Sequence, residues 1–150
     1  YATVLQFLVE NNFKIEAVVS SNSSMKIFFP IFKKMKFRKL KNVRDLNVLY
    51  NLSKITITIP SLDFKKGFPQ KVFDVALGRN FQLVEFKDNL LKNFSENIIS
   101  FKSLAELKDL TTRHLQESDL ERSVKADRIY RNVLEKHTYV NRIKEILNLL

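Results

Sequence analysis

The chain contains no cysteine. That removes disulfide staples, thiolate zinc sites and a cysteine nucleophile, and it fits a reducing compartment. Glycine is nearly as scarce. Gly67 and Gly78 are the two in 150 residues, too far apart to build either common Gly-rich phosphate loop. No apolar run much exceeds 27–32, far short of the roughly 20 residues that cross a bilayer. No Asp-x-Asp triplet occurs, and His114 and His137 have no acidic partner at ligand spacing. A divalent metal held by protein groups alone is therefore not expected. No serine lies in a nucleophile-elbow sequence, so no Ser-His-Asp arrangement can be argued. His114 reads as a helix-face residue, and His137 as a helix-end residue suited to the negative end of the dipole.

What is present is ordinary globular composition: 45% hydrophobic and 28% charged residues. A chain of this length buries roughly 68–70% of its unfolded surface, enough for one core. Basic residues number 26 and acidic residues 16, a formal charge of +10. The chain opens at Tyr1 directly into an apolar helical pattern, with no signal-peptide features. This opening suggests a piece of a longer protein. The expected location is the cytoplasm or, peripherally, the inner face of a membrane.

No linker or solenoid repeat divides the chain, so a single domain over 1–150 is expected. Short β-branched segments alternate with helical ones. Helical spacing marks 2–10, stopped by Asn11-Asn12, and a strand follows at 13–19. Further elements are a short strand at 36–40 and a helix at 45–51. The clearest strand is Ile55-Thr56-Ile57-Thr58-Ile59, ended by Pro60. Pro69 then opens a helix with Val72, Phe73 and Ala76 on its buried stripe and Gly78 as its C-terminal cap. Strands at 81–86 and 98–101 bracket a short helix at 89–94. Ser103-Leu104-Ala105-Glu106 reads as a capping box opening a helix to about Glu117. Helices at 120–136 and 139–149 complete the chain. This alternation predicts an α/β fold, a Rossmann-like parallel sheet with helices on both faces. Ligands of such sheets bind at the carboxyl ends of the strands. That edge would hold Ser20, Ser21, Lys41, Asn42, 60–68 and 85–88.

The segment Asp63-Phe64-Lys65-Lys66-Gly67-Phe68-Pro69-Gln70-Lys71 joins the best strand to a helix start. Free amides there carry about half a positive charge, and Lys65, Lys66 and Lys71 add full ones. The combination suits a phosphate or diphosphate; a solvated loop with a glycine turn is the plainer reading. Asp74, one turn further, can accept from a ribose diol or pair with a neighbouring cation. The run 33–44 carries seven positive charges and no negative one. It fits a solvated edge, an anionic membrane surface or, less well, nucleic acid, for which no RNP or helix-turn-helix pattern is present.

Lys71-Val72-Phe73-Asp74-Val75-Ala76-Leu77-Gly78 resembles the R-V-F-E-A-x-A-C-G segment of the spore-protein CgeB-like glycosyltransferases, relatives of the family 4 enzymes. His137-Thr138-Tyr139-Val140-Asn141-Arg142 resembles their terminal H-T-Y-x-x-R signature. Leu49-Tyr50-Asn51-Leu52-Ser53-Lys54-Ile55 resembles their segment before a strand. The resemblance covers about 43–150. It implies the C-terminal, donor-binding half of a GT-B enzyme. A nucleotide sugar of UDP or GDP type would be the substrate, and an acceptor-binding N-terminal domain the missing partner. It implies a metal-independent transfer and a half inactive by itself. Lys65, Lys66, Gly67, Phe68, Gln70 and Lys71 would surround the diphosphate, Asp74 would meet the ribose and Asn42 the base. The chain departs from the family at Asp74, one methylene shorter than its glutamate. It departs again at Lys66, where the first glutamate of an E-x7-E pattern would fall. The alternative is a non-catalytic module of the same fold that binds an anionic partner through 33–44.

Overall fold

The computed structural model describes residues 2–19, 35–39, 42–60, 69–87, 94 and 98–149. The chain divides into two compact units, Tyr1–Leu49 and Tyr50–Leu150.

In the first unit, α1 (Ala2–Glu10) precedes β1 (Glu16–Val19). The α1 helix ends as its asparagines predict. Asn12 takes the left-handed conformation (φ 61°). Its amide and that of Phe13 then donate to the carbonyls of Val9 and Leu8, at 3.0 and 3.1 Å. This is a Schellman closure, with asparagine at the position glycine usually fills. β2 (Lys36–Lys39) pairs in parallel with β1, Glu16 opposite Lys36. The helix α2 (Val43–Leu52) follows, its last three residues, from Tyr50 on, belonging to the second unit. Leu8, Met35 and Leu49 are buried. The segment 25–34, which the sequence left unassigned, lies outside the described residues.

The second unit holds β3 (Thr56–Thr58), α3 (Gln70–Leu77), β4 (Gln82–Glu85), β5 (Ile99–Phe101), α4 (Leu104–Gln116), α5 (Asp119–Lys136) and α6 (Tyr139–Leu147). Its sheet has the order β3-β4-β5, parallel throughout. Side chains alternate across a strand. Val84 of β4 joins Val72 and Ala76 of α3, Phe94, Ile98, and Ile129 and Val133 of α5 in one buried cluster. On the same face, buried Gln82 donates through Nε2 to the Val72 carbonyl at 2.9 Å, pinning α3 to the sheet. Phe81 and Leu83 have the other parity, and the Phe81 ring lies 4.7 Å from that of His114 on α4. Helices therefore cover both faces, and the α/β Rossmann-like arrangement expected from the alternation is present.

The helix ends add detail to the sequence reading. Gly78 does cap α3, but with φ −73°. The left-handed residue is Arg79 (φ 51°). Its amide and that of Asn80 close a second Schellman motif onto Ala76 and Val75, at 3.0 and 3.2 Å. The Ser103 hydroxyl accepts from the Glu106 amide at 3.2 Å. Glu106, however, reaches back to the amide of Lys102 (2.7 Å) rather than that of Ser103, so the box is only half closed. The complete capping box is Ser118 with Glu121, at the start of α5. Among the described residues no helix is long and apolar enough to cross a membrane. The helix expected at 89–94 lies outside the described residues except for Phe94, which is helical and buried.

Candidate functional site

β3 runs out at Thr58, and Pro60, buried, follows it. The chain re-emerges at Pro69, whose extended backbone (φ −64°, ψ 142°) leads into α3. Pro69 has no side chain able to cap the helix, and no cap hydrogen bond forms there. By contrast, α4, α5 and α6 are each capped by a hydroxyl, from Ser103, Ser118 and Thr138. The first amides of α3 are thus left without a side-chain acceptor at the N-cap. Electrostatically this end favours an anion.

Gln70 and Lys71 are exposed on the first turn of α3. Although Lys71 keeps solvent-accessible surface, the protein gathered around its ammonium partly desolvates it and lowers its pKa from the ordinary lysine value. An anion placed nearby would reverse that penalty. Asp74 is half-buried one turn on. Of the cations considered for it, Arg79 turns instead to Asp127 (3.7 Å) and stacks over the Tyr130 ring (4.3 Å). Among the described residues Asp74 forms no ion pair with Lys71. Its carboxylate is felt by Tyr50, whose hydroxyl pKa is raised by burial first and by Asp74 second. That hydroxyl is buried and without a hydrogen-bond partner among the described residues. Sequence reasoning used Tyr50 only as an apolar helix contact and as part of a resemblance. Its polar end beside Asp74 has no signature in a single sequence.

Lys65, Lys66, Gly67 and Phe68 lie outside the described residues. So do Ser20, Ser21, Lys41 and Asp88 of the expected ligand edge. Asn42 belongs to the first unit and acts as a helix cap. Its Oδ1 accepts from the Asp45 amide at 3.0 Å, and Asp45 returns the bond to the Asn42 amide at 3.2 Å. The basic run is partly neutralised where it is described. Lys36 lies 3.8 Å from Glu16, and Arg38 bonds the same carboxylate.

His137 is the C-cap of α5, as its helix-end position predicts. Its ring lies 5.6 Å from Phe73 and 5.3 Å from Phe94. Arg142 meets its Nδ1 at 2.9 Å. A guanidinium only donates, so Nδ1 is the acceptor. The H-T-Y-x-x-R run is therefore a corner. The histidine packs on the aromatic side of α3, threonine caps α6 and arginine braces the histidine.

His114, expected on a helix face, lies on the buried face of α4. It is 4% exposed beneath Phe81, with Nδ1 2.8 Å from Glu117 Oε1. Lys125 donates to the same oxygen. This triad resembles catalytic machinery in composition. Phe81, however, immediately precedes β4, so the triad sits toward the amino ends of the strands, opposite the ligand edge. It is a structural cluster. Burial pushes the Glu117 pKa up, but hydrogen bonds and charge from Lys125 and His114 outweigh it and hold it below the ordinary glutamate range. A carboxyl with a depressed folded pKa stabilises above its unfolded pKa, and that contribution fades as pH falls through the folded value. Urea melts are expected to lose stability below about pH 4.5. Glu117→Gln should flatten that acid limb, and an unchanged limb would remove the triad as its cause.

Among the described residues no group of three or more His, Asp or Glu side chains is placed to hold a metal ion. The model of a family described as glycosyl transferase-like matches residues 6–148. Searches of curated proteins and of solved structures return no match.

Proposed function

Because the chain belongs to the glycosyl transferase-like family, we propose that it is the donor-binding half of a GT-B, CgeB-like enzyme. In this reading it holds a nucleotide sugar for transfer to an acceptor, and the acceptor site lies on a further domain. Family membership supports glycosyl transfer in general. The observation that carries the finer reading is the start of α3, which follows a parallel strand and has no side-chain cap.

The chemistry follows from charge. Breaking the glycosidic bond to a diphosphate leaves negative charge on the departing oxygen. Groups already oriented at that charge lower the barrier most, since they need no rearrangement during the reaction. The α3 amides supply a fixed positive pole, and Lys71 a cation whose present desolvation an anion would offset. Gln70 and the segment Lys65, Lys66, Gly67 and Phe68 complete the diphosphate surround. Protein cations, rather than a metal, then carry the leaving-group charge. Asp74 accepts from the ribose diol, its shorter side chain aided by the nearby Tyr50 hydroxyl.

UDP or GDP is expected to raise the melting temperature of the chain. At a hundredfold excess over Kd the gain is about 2.7 kcal/mol, about 5–10 °C for a domain of this size. Lys71→Ala with Asp74→Ala should abolish the shift. The shift should also shrink at alkaline pH as Lys71 loses its proton. The chain alone should not transfer sugar. If neither nucleotide moves the melt, or the double variant responds like the parent, the donor-site reading fails.

A further inference from the structure

α6 carries its apolar residues outward. None of its residues is buried. Tyr139 is 81% exposed, Ile143 56%, Ile146 60% and Leu147 61%, with Val140 also exposed. At 3.6 residues per turn these five fall within an arc of about 120°. The charged residues are ordered around that arc. Arg142 lies just beyond one border and Lys144 just beyond the other, while Asn141 and Glu145 occupy the opposite side. Arg142 is held at its border by Glu145 Oε2 (2.8 Å) and His137 Nδ1 (2.9 Å).

We propose that α6 is an interfacial helix that lies in the surface of an anionic bilayer. The apolar arc would enter the acyl boundary, and Arg142 and Lys144 would reach the headgroup phosphates from its two edges. Cations at both borders with an acid on the far side is the charge order such a surface selects. Tyr139 adds an aromatic ring with a polar tip, suited to the same depth. The formal charge of +10 supplies long-range attraction to an anionic leaflet. A second copy of the chain fits less well. A nine-residue helix is about 14 Å long and its face about 10 Å wide. A stable interface needs about 800 Å² per partner. Pairing by this face would also bring the border cations of two copies together.

Flotation of the whole chain with vesicles tests this. The chain should float with phosphatidylcholine vesicles containing phosphatidylserine, weakly with phosphatidylcholine alone, and less as salt rises. Ile143→Glu with Leu147→Glu should lower partitioning at least about tenfold. Lys144→Glu should lower it several-fold on anionic vesicles only. All three positions are exposed, so thermal melts should be unchanged; Tyr139→Ser with Ile146→Ser provides a milder second variant of the face. Binding that survives in both face variants would place the contact elsewhere, for instance on 33–44, and overturn the proposal. So would failure to float, or a concentration-dependent dimer that the face variants dissolve.

Discussion

Replacing Asn80 by alanine is expected to cost about 3 kcal/mol of folding stability, because it removes three hydrogen bonds made by one nearly buried amide. Asn80 is 7% exposed. Its Nδ2 donates to the carbonyls of Tyr50 and Ser53, the latter at 2.9 Å, and its Oδ1 accepts from the Thr56 hydroxyl. The Tyr50 carbonyl belongs to the last turn of α2, where helical partners run out. One amide therefore closes the end of α2, the turn into β3 and the start of β4. A backbone bond from the Thr56 amide to the Phe81 carbonyl (2.9 Å) runs alongside. Alanine removes the donor to the Ser53 carbonyl and the acceptor of the Thr56 hydroxyl, while the Tyr50 carbonyl keeps the Ser53 amide (3.2 Å). A melting temperature lower by about 6–12 °C corresponds to this loss. Asn80→Asp decides the mechanism. It keeps the shape but turns a carboxylate oxygen toward two carbonyls, so it should cost at least as much as alanine. If N80D is the more stable variant, Nδ2 is not the donor that joins these segments.

Asn80 also marks the boundary of what a sequence displays. Its partners stand 24 to 30 positions away, and no local pattern announces them. Local patterns were legible. The β-branched run 55–59 became a strand, trimmed to Thr56–Thr58. Asn11-Asn12 stopped α1, and Ser103 capped α4. Gly78 is the C-cap of α3, as its position predicts, but the left-handed turn that glycine would adopt without strain falls one residue later. Arg79 adopts it instead, held from outside by Tyr130 and Asp127. The buried face of α4 is Leu107, Thr111 and His114. Two of the three are polar, so apolar periodicity could not mark that face. α6 shows the converse. Its stripe of Val140, Ile143 and Leu147 was plain in the sequence, yet periodicity reports that a helix has two faces and not what covers either. The candidate donor site divides the same way. The proline-led helix start, Lys71 and Asp74 are readable as chemistry, whereas Tyr50 comes under the electrostatic influence of Asp74 only through the fold.

Arg122 should be the other costly position, and the carbonyls it holds, rather than its acidic partner, should account for the cost. The guanidinium is 5% exposed. It donates to the carbonyls of His114 (2.7 Å) and Glu117 and to the Asp119 carboxylate. The Asp119 side chain is 89% exposed. Exposed carboxylates contribute at most about 1 kcal/mol to such a pair. The carbonyl of His114 belongs to the last turn of α4, where a cation meets both an orphan acceptor and the negative end of the helix dipole. Arg122→Met keeps much of the buried stem but abandons those acceptors, and is expected to cost about 2–4 kcal/mol. Asp119→Ala should cost under about 1 kcal/mol. Arg122→Lys should recover only part of the loss, because one ammonium cannot reproduce a planar fork spanning three acceptors. Chemical denaturation of the three variants gives the ranking. If D119A matches R122M, the pair is an ion pair after all, and the α4–α5 corner is held by charge rather than by capping of the α4 carbonyls.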